Sequence, residues 1–146
     1  MILDDQLYFA SAADCSGAAG KALIGAGKDL EGSQFRVGSS HKAMLMITVT
    51  TAFAGAGTVG FELATDATAT IANDGSANSL MQIGPVSVAN LALGKRYGIP
   101  LPSGTQTNEG FMGVLVARSA TISAGAVNAF IVLDAQDWEP FPEGVN

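Results

Sequence analysis

The sequence predicts an all-β domain, a sandwich or barrel of about eight antiparallel strands with extended N- and C-terminal segments. Three observations carry that prediction. Apolar residues alternate with a period of two over several stretches, which sets one face of a strand in a core and the other outside it. Turn signals fall between those stretches at short spacing. Glycine is abundant, at 18 of 146 residues, alongside many Ala, Thr and Ser, a composition of small and β-branched residues typical of strands and turns.

The elements follow in chain order. Asp4–Phe9 reads as a first strand or an arm. Asp14–Ala26 has room for one helical turn, although its glycines weaken a helix. Met44–Phe53 alternates clearly, with Leu45, Ile47, Val49, Thr51 and Phe53 on one side. Thr58–Asp66 does the same through Val59, Phe61 and Leu63. In Leu80–Ala89 the apolar phase flips at Gly84-Pro85, which predicts a bulge or bend. Tyr97, Ile99 and Leu101 alternate with Gly98, Pro100 and Pro102. Proline cannot donate to a ladder, so this strand belongs at an edge or leaves the sheet. Phe111–Ala117 and Val127–Leu133 are nearly continuous apolar runs and suit strands covered on both faces.

Size and charge narrow the function. A chain of 146 residues fits one domain and buries roughly 70% of its unfolded surface, so a core needs neither disulfide nor metal. Hydrophobic residues make up 48% and charged residues only 14%, which suggests that a partner covers part of the surface. The net charge is −6, and no Lys or Arg occurs between Lys42 and Lys95. A free-standing nucleic-acid binder needs a cationic footprint to release phosphate counterions, so no direct nucleic-acid contact is expected. Cys15 is the single cysteine and cannot close an internal disulfide or a cysteine zinc cluster. It reads as a small, reduced, semi-buried residue, in keeping with synthesis in a cytoplasm. The opening MILDDQLYF has two acids and no basic region, unlike a secretory signal. No apolar run reaches about 18 residues, so no transmembrane helix and no membrane partner are expected.

One motif invites a catalytic or cofactor reading. Gly55, Gly57 and Gly60 have the G-x-G-x-x-G spacing of dinucleotide-binding loops, with Asp74 further on. That site requires a helix opening at the third glycine to hold the pyrophosphate. Here strand alternation follows instead, through Phe61, Glu62 and Leu63, and then a Thr-rich stretch that forms helix poorly. The glycines therefore read as the turn of a hairpin, with Gly60 facing outward where a neighbouring backbone can come close. No nucleotide or other cofactor is expected.

Other chemistry is thin. His41 is the only histidine, it sits in a loop context, and no G-x-S-x-G elbow accompanies it. The carboxylates Asp4, Asp5, Asp66, Asp74 and Glu109 lie at strand ends and turns, where acids are ordinarily solvated, and no D-x-D-x-D-G calcium loop occurs. No catalytic residue, no metal site and no enzymatic activity are expected. The close of the chain, DAQDWEPFPEGVN, holds four acids, two prolines, Trp138 and Phe141. It reads as an extended tail whose aromatic residues either fold back on their own domain or dock on a partner.

As a set, four stretches resemble the cement, or decoration, proteins of short-tailed double-stranded DNA phages: MILDDQLYFASA, MITVTTAFAGAGTVGFELATD, YGIPLPSG and AGAVNAFIVLDAQDW. The resemblance spans residues 1–137, leaving 138–146 as an acidic and aromatic tail. It implies a jelly-roll β-sandwich on the outside of an icosahedral head. It further implies no catalysis, synthesis in the host cytoplasm, and binding to the major capsid protein and to copies of itself, with a dimer expected ahead of a trimer. The partner-facing residues expected on this reading are Leu7, Tyr8, Phe9, Tyr97, Trp138 and Phe141. The rival reading is a carbohydrate- or receptor-binding β-sandwich, for which Tyr8, Tyr97 and Trp138 are the candidate aromatic contacts. A small jelly-roll hydrolase or cupin ranks third, since a single histidine is a poor start for a metal site.

Overall fold

The computed structural model describes residues 8–29, 43–101 and 109–132. Eight strands run through them: β1 (Tyr8–Asp14), β2 (Gly20–Asp29), β3 (Met44–Gly55), β4 (Thr58–Asp66), β5 (Asn78–Ser87), β6 (Arg96–Pro100), β7 (Phe111–Arg118) and β8 (Ile122–Val132). One 3-10 turn, Val88–Asn90, lies between β5 and β6. The strands form two four-stranded sheets, ordered β1-β8-β3-β6 and β2-β7-β4-β5, and every pairing is antiparallel.

The order has a simple logic. First pairs with last, second with seventh, third with sixth and fourth with fifth. Those are the pairings of one long hairpin bent at the β4–β5 connection and rolled so that alternate strands fall in opposite sheets. This is the jelly-roll arrangement of a double sheet, and the fold is the all-β sandwich that the sequence predicts.

The core lies between the sheets and is built by the alternation read from sequence. Leu45, Ile47 and Val49 of β3 meet Val59, Phe61 and Leu63 of β4, all at 0–1% exposure. Phe53 packs edge-on to Phe61, with ring centroids 6.4 Å apart and an interplanar angle of 86°. Burying each such side chain contributes about 1.5–3 kcal/mol. Proline-bearing β6 is an edge strand, as expected. The phase flip in β5 is a bulge: Val86 pairs with Val59 and Ile83 with Phe61, so Gly84 and Pro85 both stand against Gly60.

Three expectations are corrected. The stretch expected to allow a helical turn instead enters β2 at Gly20. Its pairing with β7 slips between Ile24 and Lys28, where two extra residues sit on β2. The slip hides the alternation, and the glycines mask the strand. Second, Gly55 and Gly57 do not close a hairpin. β3 and β4 belong to opposite sheets, so the turn carries the chain across the sandwich. Both glycines have positive φ, 129° and 86°. A β-carbon on Gly57 would lie 2.4 Å from Ser119 Oγ, and one on Gly55 would lie 2.7 Å from the Thr121 carbonyl oxygen. The β7–β8 connection, which also crosses between sheets, is pressed against them. Third, Cys15 is fully buried rather than semi-buried.

Four of the connections that cross between the sheets, β1–β2, β3–β4, β5–β6 and β7–β8, gather at one end. Thr58 N–H donates to Ser119 Oγ at 2.8 Å, and Ser119 N–H donates to the Thr58 carbonyl at 3.0 Å. Gly17 and Ile122 exchange backbone hydrogen bonds of 2.8 and 2.9 Å. Arg118 Nη1 donates to the Cys15 and Ser16 carbonyls at 3.1 and 2.7 Å. Val88 N–H reaches the Gly57 carbonyl at 3.1 Å, which joins the β5–β6 connection to the cluster.

Candidate functional site

Each sheet has a second, outward face, and the two faces differ. On the β2-β7-β4-β5 sheet, the outward positions include Lys21 and Leu23 of β2, Gly113 and Leu115 of β7, and Glu62 and Ala64 of β4. Residues 67–77, which join β4 to β5, fold back over them. Ile71, at 2% exposure, packs with Ala64 and Leu115 and is bordered by Leu23, Ala77 and Phe111. Small residues make room for the crossing. A β-carbon on Gly27 would stand 2.2 Å from the Ala69 carbonyl oxygen, and one on Gly113 would stand 2.8 Å from Ile71 Cγ1.

Polar contacts pin the loop. Asp66 accepts from Ala72 N–H at 2.8 Å, and Asn73 Nδ2 donates to the Lys21 carbonyl at 3.1 Å. On the same face, Lys21 Nζ contacts Glu62 Oε2 at 2.6 Å; the Glu62 side chain is 6% exposed and that of Lys21 is 37% exposed. A buried carboxylate needs such a partner to offset its desolvation. This face is thus already occupied by the chain's own loop.

The outward face of the β1-β8-β3-β6 sheet carries an apolar shelf, and strand register defines it. One row crosses all four strands: Tyr8 opposite Phe130, Phe130 opposite Met46, Met46 opposite Gly98. The next row is Val132, Met44 and Pro100. Tyr8 stacks on Phe130 with centroids 5.8 Å apart and an interplanar angle of 8°. Met46, Phe130 and Val132 cluster, with Tyr8 and Met44 at their rim. Gly98 has no side chain because Met46 leans over it: a β-carbon there would lie 2.7 Å from Met46 Sδ. The third row, Asn128, Thr48 and Arg96, is polar, and Asn128 Oδ1 accepts from Ala12 N–H at 2.7 Å. The apolar shelf therefore ends sharply, one register step toward the end with the clustered connections.

The expected partner-facing residues separate. Tyr8 is half-buried on the shelf. Phe9 points the other way, because successive side chains alternate, and at 3% exposure it belongs to the core; it offers no ring to a partner. Tyr97 also packs toward the core, and its hydroxyl donates to the Asn90 carbonyl at 2.9 Å, which holds the ring to the connection before β6. Leu7, Trp138 and Phe141 lie outside the described residues, as does His41. Sequence reasoning missed Met44, Met46, Phe130 and Val132. Their signal was present as the even phase of the Met44–Phe53 alternation and the unbroken apolar run after Val127.

The titratable groups have structural roles. Asp14 and Asp74 are each held below the ordinary carboxylate range by hydrogen bonds from a serine two residues on, Ser16 and Ser76. Burial, assisted by the negative charge of Asp14, pushes the Cys15 thiol up to about 12. It stays protonated at neutral pH, and a thiol is not a nucleophile in that state. Among the described residues, no three His, Cys, Asp or Glu side chains converge to hold a metal ion.

These observations define an eight-stranded jelly-roll domain whose distinguishing surface is an apolar shelf on one sheet. The chain belongs to the Bbp16 family, whose model matches residues 10–131 and so takes in nearly all of the sandwich. No curated protein matches the chain.

Proposed function

We propose that this protein is a structural component of a phage virion, binding the outer surface of the head and stabilising the major-capsid-protein lattice without catalysis. The observation that carries the reading is the rolled strand order, β1-β8-β3-β6 over β2-β7-β4-β5, an architecture that recurs in viral shells. The described parts of the stretches quoted above as resembling cement proteins fall on β1, β3, β4, β6 and β8 of that sandwich. A cement protein that binds the assembled lattice better than free subunits stabilises the shell by mass action, and repeated weak contacts add through high effective concentration. An acidic chain, at net charge −6, suits a position outside the head, away from DNA. On this reading the protein is made in the host cytoplasm and acts as an oligomer, most simply a dimer.

The test is to mix the purified protein with undecorated heads of the phage that encodes it. Saturable binding in icosahedral stoichiometry, with a raised melting temperature of the shell, is the expected result. Absence of binding, together with binding to an array of glycans, would replace this reading with the carbohydrate- or receptor-binding one.

A further inference from the structure

We propose that Asp74-Gly75, at the exposed tip of the 67–77 roof, is the chain's site of spontaneous aspartyl isomerisation, and that Ser76 is the brake that keeps it aspartyl. The chemistry needs only water. The Gly75 amide nitrogen attacks Asp74 Cγ of the carboxylic acid form, and an N–Cγ bond forms as a Cγ–O bond breaks. The hydroxyl leaves as water with the amide proton, and a five-membered succinimide remains. Water then opens that ring. Breaking the N–Cγ bond restores aspartate. Breaking the bond from nitrogen to the Asp74 main-chain carbonyl instead leaves the backbone running through Cγ, as isoaspartate.

Three observations single out this dipeptide. No other Asp or Asn in the chain is followed by glycine, the neighbour whose lack of a β-carbon leaves its amide open to the carboxyl. Asp74, Gly75 and Ser76 are all exposed, and a β-carbon placed on Gly75 would meet nothing within 4 Å, so no packing bars the ring or the water that opens it. Lastly, Asp74 Oδ1 accepts from Ser76 N–H at 2.9 Å and from Ser76 Oγ at 2.7 Å, an Asx-type turn closed on both sides. Those bonds must break before the carboxyl can turn its face to the Gly75 nitrogen. They also hold the group as a carboxylate, below the ordinary range, and a carboxylate has no hydroxyl to lose. Asp14 is an internal control. Ser16 caps it through the same two groups, at 2.8 and 2.9 Å, but the residue between is the buried Cys15 and not a glycine. Isomerisation at Asp74 lands on the pins of the roof. Ala72 N–H donates to Asp66 and Asn73 Nδ2 to the Lys21 carbonyl, and isoaspartate adds a methylene to the backbone directly after Asn73.

The test is to age the full-length protein in neutral buffer, folded and in urea. Isoaspartate is counted by enzymatic methyl transfer and located by peptide chromatography with mass detection. It is expected at Asp74 and not at Asp14. The folded chain should form it about fivefold more slowly than the chain in urea, the factor that one hydrogen bond of ordinary net strength supplies. Ser76→Ala should raise the folded rate about fivefold and leave the rate in urea unchanged, with the far-ultraviolet dichroism of the sandwich retained. Ser76→Thr, which keeps a hydroxyl and an N–H in place, should age like the unsubstituted chain. No isoaspartate at Asp74 in urea would overturn the site. Equal folded and urea rates in the unsubstituted chain, or equal folded rates for it and Ser76→Ala, would overturn the brake. No phage head enters these measurements, so their outcome is separate from that of the binding test.

Discussion

The two sheets of the sandwich have the same number of strands, yet they treat their outward faces in opposite ways. The β2-β7-β4-β5 sheet is roofed by residues 67–77, with Ile71 driven into an apolar patch, and carries a Lys21–Glu62 pair on the same face. The β1-β8-β3-β6 sheet carries rings and thioethers in two register-aligned rows that stop at a polar third row. Each face carries a small buried cluster, but only the first lies under a described loop of the chain. In a two-layer β protein the inner faces are committed to each other, so the outer faces are where members of the architecture can differ in what they bind. A roof held by glycines that a β-carbon would push away from Ala69 and Ile71 is part of the fold; on the other sheet Met46, Phe130 and Val132 cluster at 4–7% exposure with no described loop across them.

Substitutions sharpen that contrast. The largest effect belongs under the roof: Ile71→Ala should cost about 2–5 kcal/mol, as for other buried large-to-small changes, measured from the urea midpoint. A loss below about 1 kcal/mol, the size of an ordinary surface change, would mean the loop does not unfold with the sandwich, and the contrast would fail. Lys21→Met should cost about 1–3 kcal/mol, because it leaves the Glu62 carboxylate without its partner in a buried setting. Adding Glu62→Leu should restore most of that loss in thermal melts, since an apolar pair can replace a buried ion pair; a double variant no better than the single would show that the loop, not the charge, carries the effect. On the shelf, Tyr8→Leu keeps apolar area and removes only the ring stack, so about 0.5–1.5 kcal/mol is expected. Leu93, the one large apolar side chain that stands exposed among the described residues, at 69%, belongs to neither face. Leu93→Ser should change stability by no more than about 0.5 kcal/mol, and a larger drop would reveal a third apolar surface.

Much of this architecture is legible in the sequence, and what is not has a physical cause. Thr58–Asp66 alternates without a break and is β4 from end to end. Gly84-Pro85 marks the β5 bulge because a phase flip can be read locally. β2 escapes because its own bulge breaks the alternation and its glycines and lysines dilute the apolar signal. The Gly55–Gly57 turn is visible as a turn, but whether a turn joins neighbours in one sheet or crosses to the other depends on pairings far along the chain. Gly55, for example, pairs with Ile122. The shelf shows a further limit. Met44 and Met46 occupy the phase opposite the core, where an apolar residue carries no label saying whether a loop, a tail or a partner will cover it.

The pairing of β1 with β8 also sets a timetable. Tyr8 lies opposite Phe130, and β8 is the central bridge between β1 and β3. A ribosome releases β1 more than a hundred residues before its partner exists. Until then β1 and β3 have no shared neighbour, and the first sheet cannot close however favourable its core. Pairings this distant in sequence make for slow folding, and unpaired edges are sticky while they wait. Such a chain folds best after synthesis is finished, and a ribosome that stalls within β8 would release a half-built sandwich, one sheet able to form and the other left open.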